Sequence, residues 1–150
     1  MRFIESGQVD NTGEFTLFGQ IFKQLNGNYD CWKQNNVDAR ALRVGFLNEA
    51  SIDAGGPFRE TLTNFVTEME SGALPHLIMT ENHKNNYGDN RDGFILNSDS
   101  TMPTHQSMFR FLGVLIGFAF RTGSCIPFNF APIVWKQIVG EEPKEIDLKA

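Results

Sequence analysis

Cysteine is scarce in this chain. Cys31 and Cys125 are the two present among 150 residues, with no second pair and no His close by in sequence, so neither a disulfide framework nor a zinc site has the ligands it needs. Positive charge is also in short supply. Lys and Arg number 13 against 18 Asp and Glu, a formal net charge of −5, which leaves no basic field to neutralise a nucleic-acid backbone. Long apolar runs are missing too. The start, MRFIESGQVD, has no stretch of signal-peptide length, and the longest run, Met108 to Phe120, is interrupted by Arg110 and is too short to span a bilayer. A soluble, non-secreted protein of a reducing compartment is expected: cytoplasmic, with the nucleus left open, and without nucleic-acid or membrane partners.

Recognisable reaction chemistry is equally sparse. The adjacent glycines are Gly55 and Gly56, and no G-x-x-x-x-G-K-[ST] or G-x-G-x-x-G phosphate loop occurs. His76, His83 and His105 stand far apart and none has a His neighbour at helical spacing, so each reads as structural or surface rather than as a metal ligand. In Gly88-Asp-Asn-Arg-Asp-Gly93 a glycine occupies the place where a calcium loop requires its first carboxylate. The pairs Glu68–Glu70, Asp89–Asp92 and Glu141–Glu142 read as solvated surface. Cys125, just after an apolar helix and without an adjacent His or cation, reads as a buried thiol rather than a nucleophile. No cofactor and no metal are expected.

What the chain does have is a core. Hydrophobic residues make up 41 % and charged residues 21 %, and fourteen residues are Phe; this is ordinary globular composition with large aromatic payloads to bury. Glu14 to Leu25 carries Phe15, Phe18, Phe22 and Leu25 at helical spacing, widened by Leu17 and Ile21, which predicts an amphipathic helix. Asn26 to Asp38 is rich in turn formers and reads as a loop. Leu42, Val44 and Phe46 alternate with other residues, predicting a half-buried strand. A turn at Ser51 to Gly56 then leads to Pro57, suited to the first helical position, and to a helix whose face is Phe58, Leu62, Phe65, Val66 and Met69, ending near Gly72.

Leu74 to Thr80 and Phe94 to Asn97 predict two short strands of a β-hairpin around a polar loop, Glu81 to Asp92. Thr104 is placed to cap the next helix, apolar nearly all round from Met108 to Phe120 and stopped at Gly123, so that helix should be buried on every side, with Gly113 and Gly117 permitting close packing. Ala131 to Val139 predicts another short helix closed by Gly140. A last helix should begin at Pro143 and runs to Ala150 with no stop signal, as an interrupted element would. The expected fold class is α+β, predominantly helical with short β-hairpins.

Several segments together resemble the HECT ubiquitin ligases. They are Leu42 to Glu60, with an Asp53-Ala-Gly55-Gly56 turn and a helix opening with Glu60; Asn90-Arg91-Asp-Gly-Phe-Ile-Leu-Asn97; Phe109 to Gly123, containing Gly113 and Gly117; and Pro132-Ile-Val-Trp135-Lys-Gln137 with Asp147-Leu148. They occur in the family's order over residues 41 to 150. The Asn-Arg-Asp segment and Trp-Lys-Gln are most similar to the large HECT ligases that also carry RCC1-like repeats. The resemblance implies a partial N-lobe at 41–150, preceded by an amphipathic helix and loop at 1–40 and truncated before the E2-binding subdomain and the C-lobe.

The resemblance also implies a mechanism: a cysteine takes ubiquitin from an E2 thioester and passes it to a substrate lysine. Neither Cys31 nor Cys125 matches that cysteine, so no catalytic residue is assigned in this chain and the fragment alone is expected to be scaffold. The motif residues Asp53, Gly55, Gly56, Glu60, Asn90, Arg91, Gly113, Gly117 and Trp135 are read as structural. The partners implied are an E2 enzyme, ubiquitin and protein substrates, and exposed apolar surface would favour self-association. A non-catalytic interaction domain of related fold is the rival reading.

Overall fold

The computed structural model describes residues 7–27 and 56–148. The predicted strand at Leu42 to Phe46, most of the loop after Asn26, and the turn residues Asp53 and Gly55 lie outside the described residues. The chain is α+β: helix accounts for about half of the described residues, beside one two-stranded antiparallel sheet among them.

Helix α1 spans Leu17–Leu25. Thr16 caps it, its hydroxyl accepting the Gly19 N–H at 3.2 Å. Phe18 and Phe22 are buried as their spacing predicts, but Phe15 is 61 % exposed because it precedes the cap and so falls off the helical stripe. Helix α2 spans Gly56–Glu70, starting one residue before Pro57. Its buried face is Leu62, Phe65, Val66 and Met69, the spacing of one helix side, and Gly72 turns the chain away at φ +78°.

Strands β1 (Leu77–Met79) and β2 (Phe94–Leu96) form the hairpin in the register Leu77↔Leu96, Ile78↔Ile95, Met79↔Phe94. The predicted polar loop between them is in part a helix, α3 (Glu81–Asn85). Thr80 caps it by accepting the His83 N–H at 3.1 Å, and Asn86 ends it in the left-handed region. The polar composition hid this element, since a five-residue helix has no apolar stripe to show.

Helix α4 spans Pro103–Thr122 and ends at Gly123, φ +65°. Pro103 opens the helix, so the cap position falls to Met102, which offers no side-chain acceptor; Thr104 lies inside the helix and does not cap it. One side of α4 is buried through Met108, Phe111, Leu112, Leu115, Ile116, Phe118 and Ala119. The other side, Arg110, Gly113, Gly117 and Phe120, is exposed, with Phe120 at 74 %. The expectation of an all-round buried helix is therefore corrected: the mean hydropathy of the segment is high, but a 3.6-residue period still turns every third or fourth position outward.

Helix α5 spans Pro132–Ile138, with Gly140 at φ +77° beyond it. In place of a regular helix from Pro143 there is a single 3-10 turn, Glu145–Leu148. The Asp147 carboxylate accepts from the Lys144 N–H at 2.7 Å and from Lys136 Nζ at 2.7 and 2.8 Å, which draws the turn tight against α5.

The core is aromatic. Phe18 meets Phe65 edge-on at 5.6 Å and Phe111 at 5.4 Å, and Phe22 meets Phe111 at 5.7 Å, so α1, α2 and α4 share one cluster. The segment after α4 is stitched to β2 through Phe94 N–H to Asn129 O (2.8 Å) and Ala131 N–H to Phe94 O (2.9 Å). Gly13, at φ +69°, lies against Gly19 so closely that a Cβ on Gly19 would run into the Gly13 backbone.

Candidate functional site

The motif residues do not converge on one point. Gly56 is the first residue of α2 and Glu60 is exposed on the same helix. Asn90 and Arg91 sit in the exposed connection from α3 to β2, Gly113 and Gly117 on the outer side of α4, and Trp135 half-buried on α5. A Cβ on Gly113 or Gly117 would meet nothing within 4 Å, so the expectation that they allow close packing inside the domain is corrected. Both face outward because they are out of phase with the buried side of α4.

The Asn90 turn has a clear local logic. Asn90 is left-handed at φ +53°, and its carbonyl accepts the Gly93 N–H at 2.9 Å. Asn82 Nδ2 donates to Asp89 O at 2.8 Å, tying α3 to the same turn. Gly93 O then accepts the Thr80 N–H at 3.0 Å and lies 3.3 Å from His83 Nδ1. The turn delivers Phe94 into β2 beneath the His83 ring, 4.8 Å away edge-on.

Two shallow grooves flank α5. One, of about 200 Å³, runs between the end of α4 and α5 and is lined by Ile116, Phe120, Cys125, Ile126, Phe128 and Trp135. Its inner wall is an aromatic row: Phe128 stacks on Phe130 at 4.6 Å, and Phe130 meets Trp135 at 5.3 Å. Cys125 is exposed here rather than buried, because it lies in the extended segment beyond Gly123 where α4 no longer shields it. Among the described residues no His, Lys or Arg lines the groove to act on the thiol. The second groove, about 350 Å³, lies between the hairpin, α3 and α5, with Glu81 and the Lys136-paired Asp147 at its edges. Neither groove assembles a nucleophile with a base. Among the described residues no group of three or more His, Cys, Asp or Glu is placed to hold a metal, and no helix is long and apolar enough to cross a membrane.

The strongest buried polar chemistry lies elsewhere. Asp10, 2 % exposed, accepts N–H bonds from Glu14 (3.0 Å), Phe15 (2.9 Å) and Thr16 (3.0 Å) and the Thr16 hydroxyl (3.0 Å). Burial alone would push its carboxyl up, yet these donors outweigh burial and hold it below the ordinary carboxylate range. Glu68 of α2 accepts the Leu17 and Phe18 N–H groups at 2.7 and 2.8 Å. There burial wins, helped by the Asp10 charge, and the carboxyl is raised despite those two donors. Glu70 likewise accepts from Asn129 N–H and Nδ2 at 2.8 and 2.9 Å. The Glu68–Glu70 pair is thus built into helix-end and segment contacts, not idle solvated surface; sequence alone could not show which free N–H groups would arrive opposite it. Two carboxylates at the N-terminus of α1 suit its dipole.

Comparison with known proteins adds what the geometry lacks. A profile described as HECT-domain (ubiquitin-transferase) matches residues 62–150. The chain is 45 % identical over 138 residues to the mouse (Mus musculus) E3 ubiquitin-protein ligase HERC2, covering 91 % of this chain and 3 % of that protein. It is 44 % identical over 101 residues to human HERC2, 67 % of this chain and 2 % of that protein. It is 28 % identical over 109 residues to the Saccharomyces cerevisiae E3 ubiquitin-protein ligase TOM1, 73 % of this chain and 3 % of that protein. The chain thus spans only a few hundredths of the length of the curated relatives it matches. No solved structure matches it.

Proposed function

This chain belongs to the HECT-domain (ubiquitin-transferase) family, and from that premise we propose that it is the scaffold portion of an E3 ubiquitin-protein transferase. In this reading residues 41–150 are part of the large N-lobe, preceded by the amphipathic helix and loop of 1–40. The whole protein takes ubiquitin from an E2 enzyme as a cysteine thioester, and a substrate lysine amine then attacks the thioester carbonyl, expelling the thiolate. The observation that carries the reading is the 45 % identity to an E3 ubiquitin-protein ligase along 91 % of the chain.

The chain by itself is inactive in this proposal. Cys125 lies in an apolar groove that has no base or cation among the described residues, which supports a non-catalytic thiol. Residence in the cytoplasm, with the nucleus open, belongs to the same proposal. So does self-association of the isolated chain, which the exposed Phe120, Val139 and Ile146 support; light scattering of a clean monomer at high concentration would count against it.

Two measurements test the reading. The purified chain mixed with ubiquitin-charged E2 enzymes should give no thiol-sensitive adduct on a non-reducing gel; an adduct lost on Cys125→Ala makes the chain a catalyst in its own right. Grafted in place of the segment it matches in the mouse relative, the chain should leave thioester formation intact. A folded chimera that no longer accepts ubiquitin rejects the scaffold assignment.

A further inference from the structure

His76 has no solvent exposure, and among the described residues neither of its ring nitrogens has a hydrogen-bond partner of good geometry. It stands where three parts of the chain meet: its ring is 4.7 Å from Phe109 and 5.4 Å from His105, both of α4, and 6.5 Å from Phe18 of α1. As packing alone this is a poor choice, since a Leu or Phe would fill such a space with no polar atom to desolvate. His105 is buried too. Its Nε2 lies 3.2 Å from the Asn11 carbonyl, which can only accept, so Nε2 is the donor there, and Nδ1 has no partner among the described residues. The Asn11 bond spans 94 positions of sequence, and beside it Asp10 N–H donates to Ala73 O at 2.7 Å.

The two imidazoles therefore sit behind two of the contacts that seat the N-terminal segment on the rest of the domain, the others being Glu68 on the α1 amides and the Phe18 and Phe22 rings. We propose that His76 and His105 form an acid-operated latch: a proton added to His76 opens the seat of residues 8–25 while α2, α4 and the hairpin stay folded. An imidazolium at His76 would carry a full charge into a space where its ring neighbours are Phe18, Phe109 and a second imidazole, and where the His105 backbone offsets only part of the cost. His105 is the one titratable side chain in ring contact with it among the described residues. In the N-terminal segment the Asn11 carbonyl is held by His105, and the Asp10 carboxylate already serves Thr12, Glu14, Phe15 and Thr16. Two contacts that hold the remainder stand apart from the latch: Glu70 grips Asn129, and Phe94 pairs with Phe130; Phe65 and Phe111 lose the cover of Phe18 and Phe22 when the segment opens but keep the rest of their cluster.

The direction in acid follows from linkage. Burial first, then the neighbouring His105, lowers His76 to about 4, so the stabilisation from its neutral form is full above the free value of 6.5 and falls away as pH drops toward 4. Asp10, held below the ordinary range, keeps its charge at pH 5, and Glu68, held above it, favours the closed form on protonation and works against opening.

Hydrogen exchange of the intact chain, corrected for the intrinsic pH dependence, tests this. Between pH 7.5 and pH 5.0 the opening constant of amides 14–25 should rise roughly 30-fold, the ratio given by a shift from 6.5 to about 4. Amides of Leu62–Met69 and Phe111–Ala119 should keep theirs, and His76→Phe, or His76→Leu if the former does not fold, should abolish the response. An equal rise throughout the chain, or an unchanged response in a folded variant, overturns the latch. So does a His76 ring that titrates near 6.5 in the unsubstituted protein by NMR.

Discussion

The junction of α1, α2 and α4 and the outer layer of α5 with its 3-10 turn close the chain in opposite ways. At the junction, segments far apart in sequence meet through Glu68 on the α1 amides and through the Phe18, Phe65 and Phe111 rings, while the buried Asp10 braces the turn that leads into α1 by local bonds. In the outer layer, near neighbours meet through an ion pair, Lys136 to Asp147 at 2.7 Å, eleven positions apart. Distant closure loses more chain entropy than local closure, and the junction offsets it with buried contacts whose removal leaves unsatisfied donors. The outer layer needs no such commitment.

Breaking the junction should therefore cost most. Asp10→Ala strands three backbone amides and the Thr16 hydroxyl, and we expect a loss of about 2–3 kcal/mol, read as a lower urea midpoint with unchanged slope. A loss below about 0.5 kcal/mol would show that water replaces the carboxylate and that the junction is no tighter than the outer layer. The outward side of α4 should respond in the other direction. Gly113→Ala meets nothing within 4 Å in a helix interior, so it should stabilise by up to about 1 kcal/mol in thermal melting. A destabilised Gly113→Ala would mean that something packs on that side in solution. Smallest of all, Lys136→Met should lower the thermal midpoint by less than Asp10→Ala does, and the difference should shrink further in high salt, as expected of a pair whose lysine reaches solvent. A larger, salt-independent cost would erase the contrast between the two regions.

Much of the architecture was legible in residue order. Phe18 with Phe22, and Leu62, Phe65, Val66 with Met69, are buried at the spacing that predicted them, and Gly72, Gly123 and Gly140 stop or turn the chain where a positive φ is needed. The hairpin was readable from Leu77–Met79 and Phe94–Leu96, although its connection held a helix with no apolar signal. The family was readable from ordered motifs, because such segments report ancestry whether or not they meet in space. Those same residues, from Glu60 to Trp135, lie scattered over the described surface and assemble no reaction centre.

By itself, then, the sequence determined the buried faces of α1 and α2, the glycine turns at 72, 123 and 140, and the family, since each depends on periodicity, on backbone preference or on residue order along a short stretch. Only the tertiary structure decided that Gly113, Gly117 and Cys125 face outward, that Glu68 serves another helix, and that His76 and His105 meet in the interior. Those outcomes depend on which distant group arrives opposite a side chain, and burial and hydrogen bonding are properties of that meeting rather than of either residue alone.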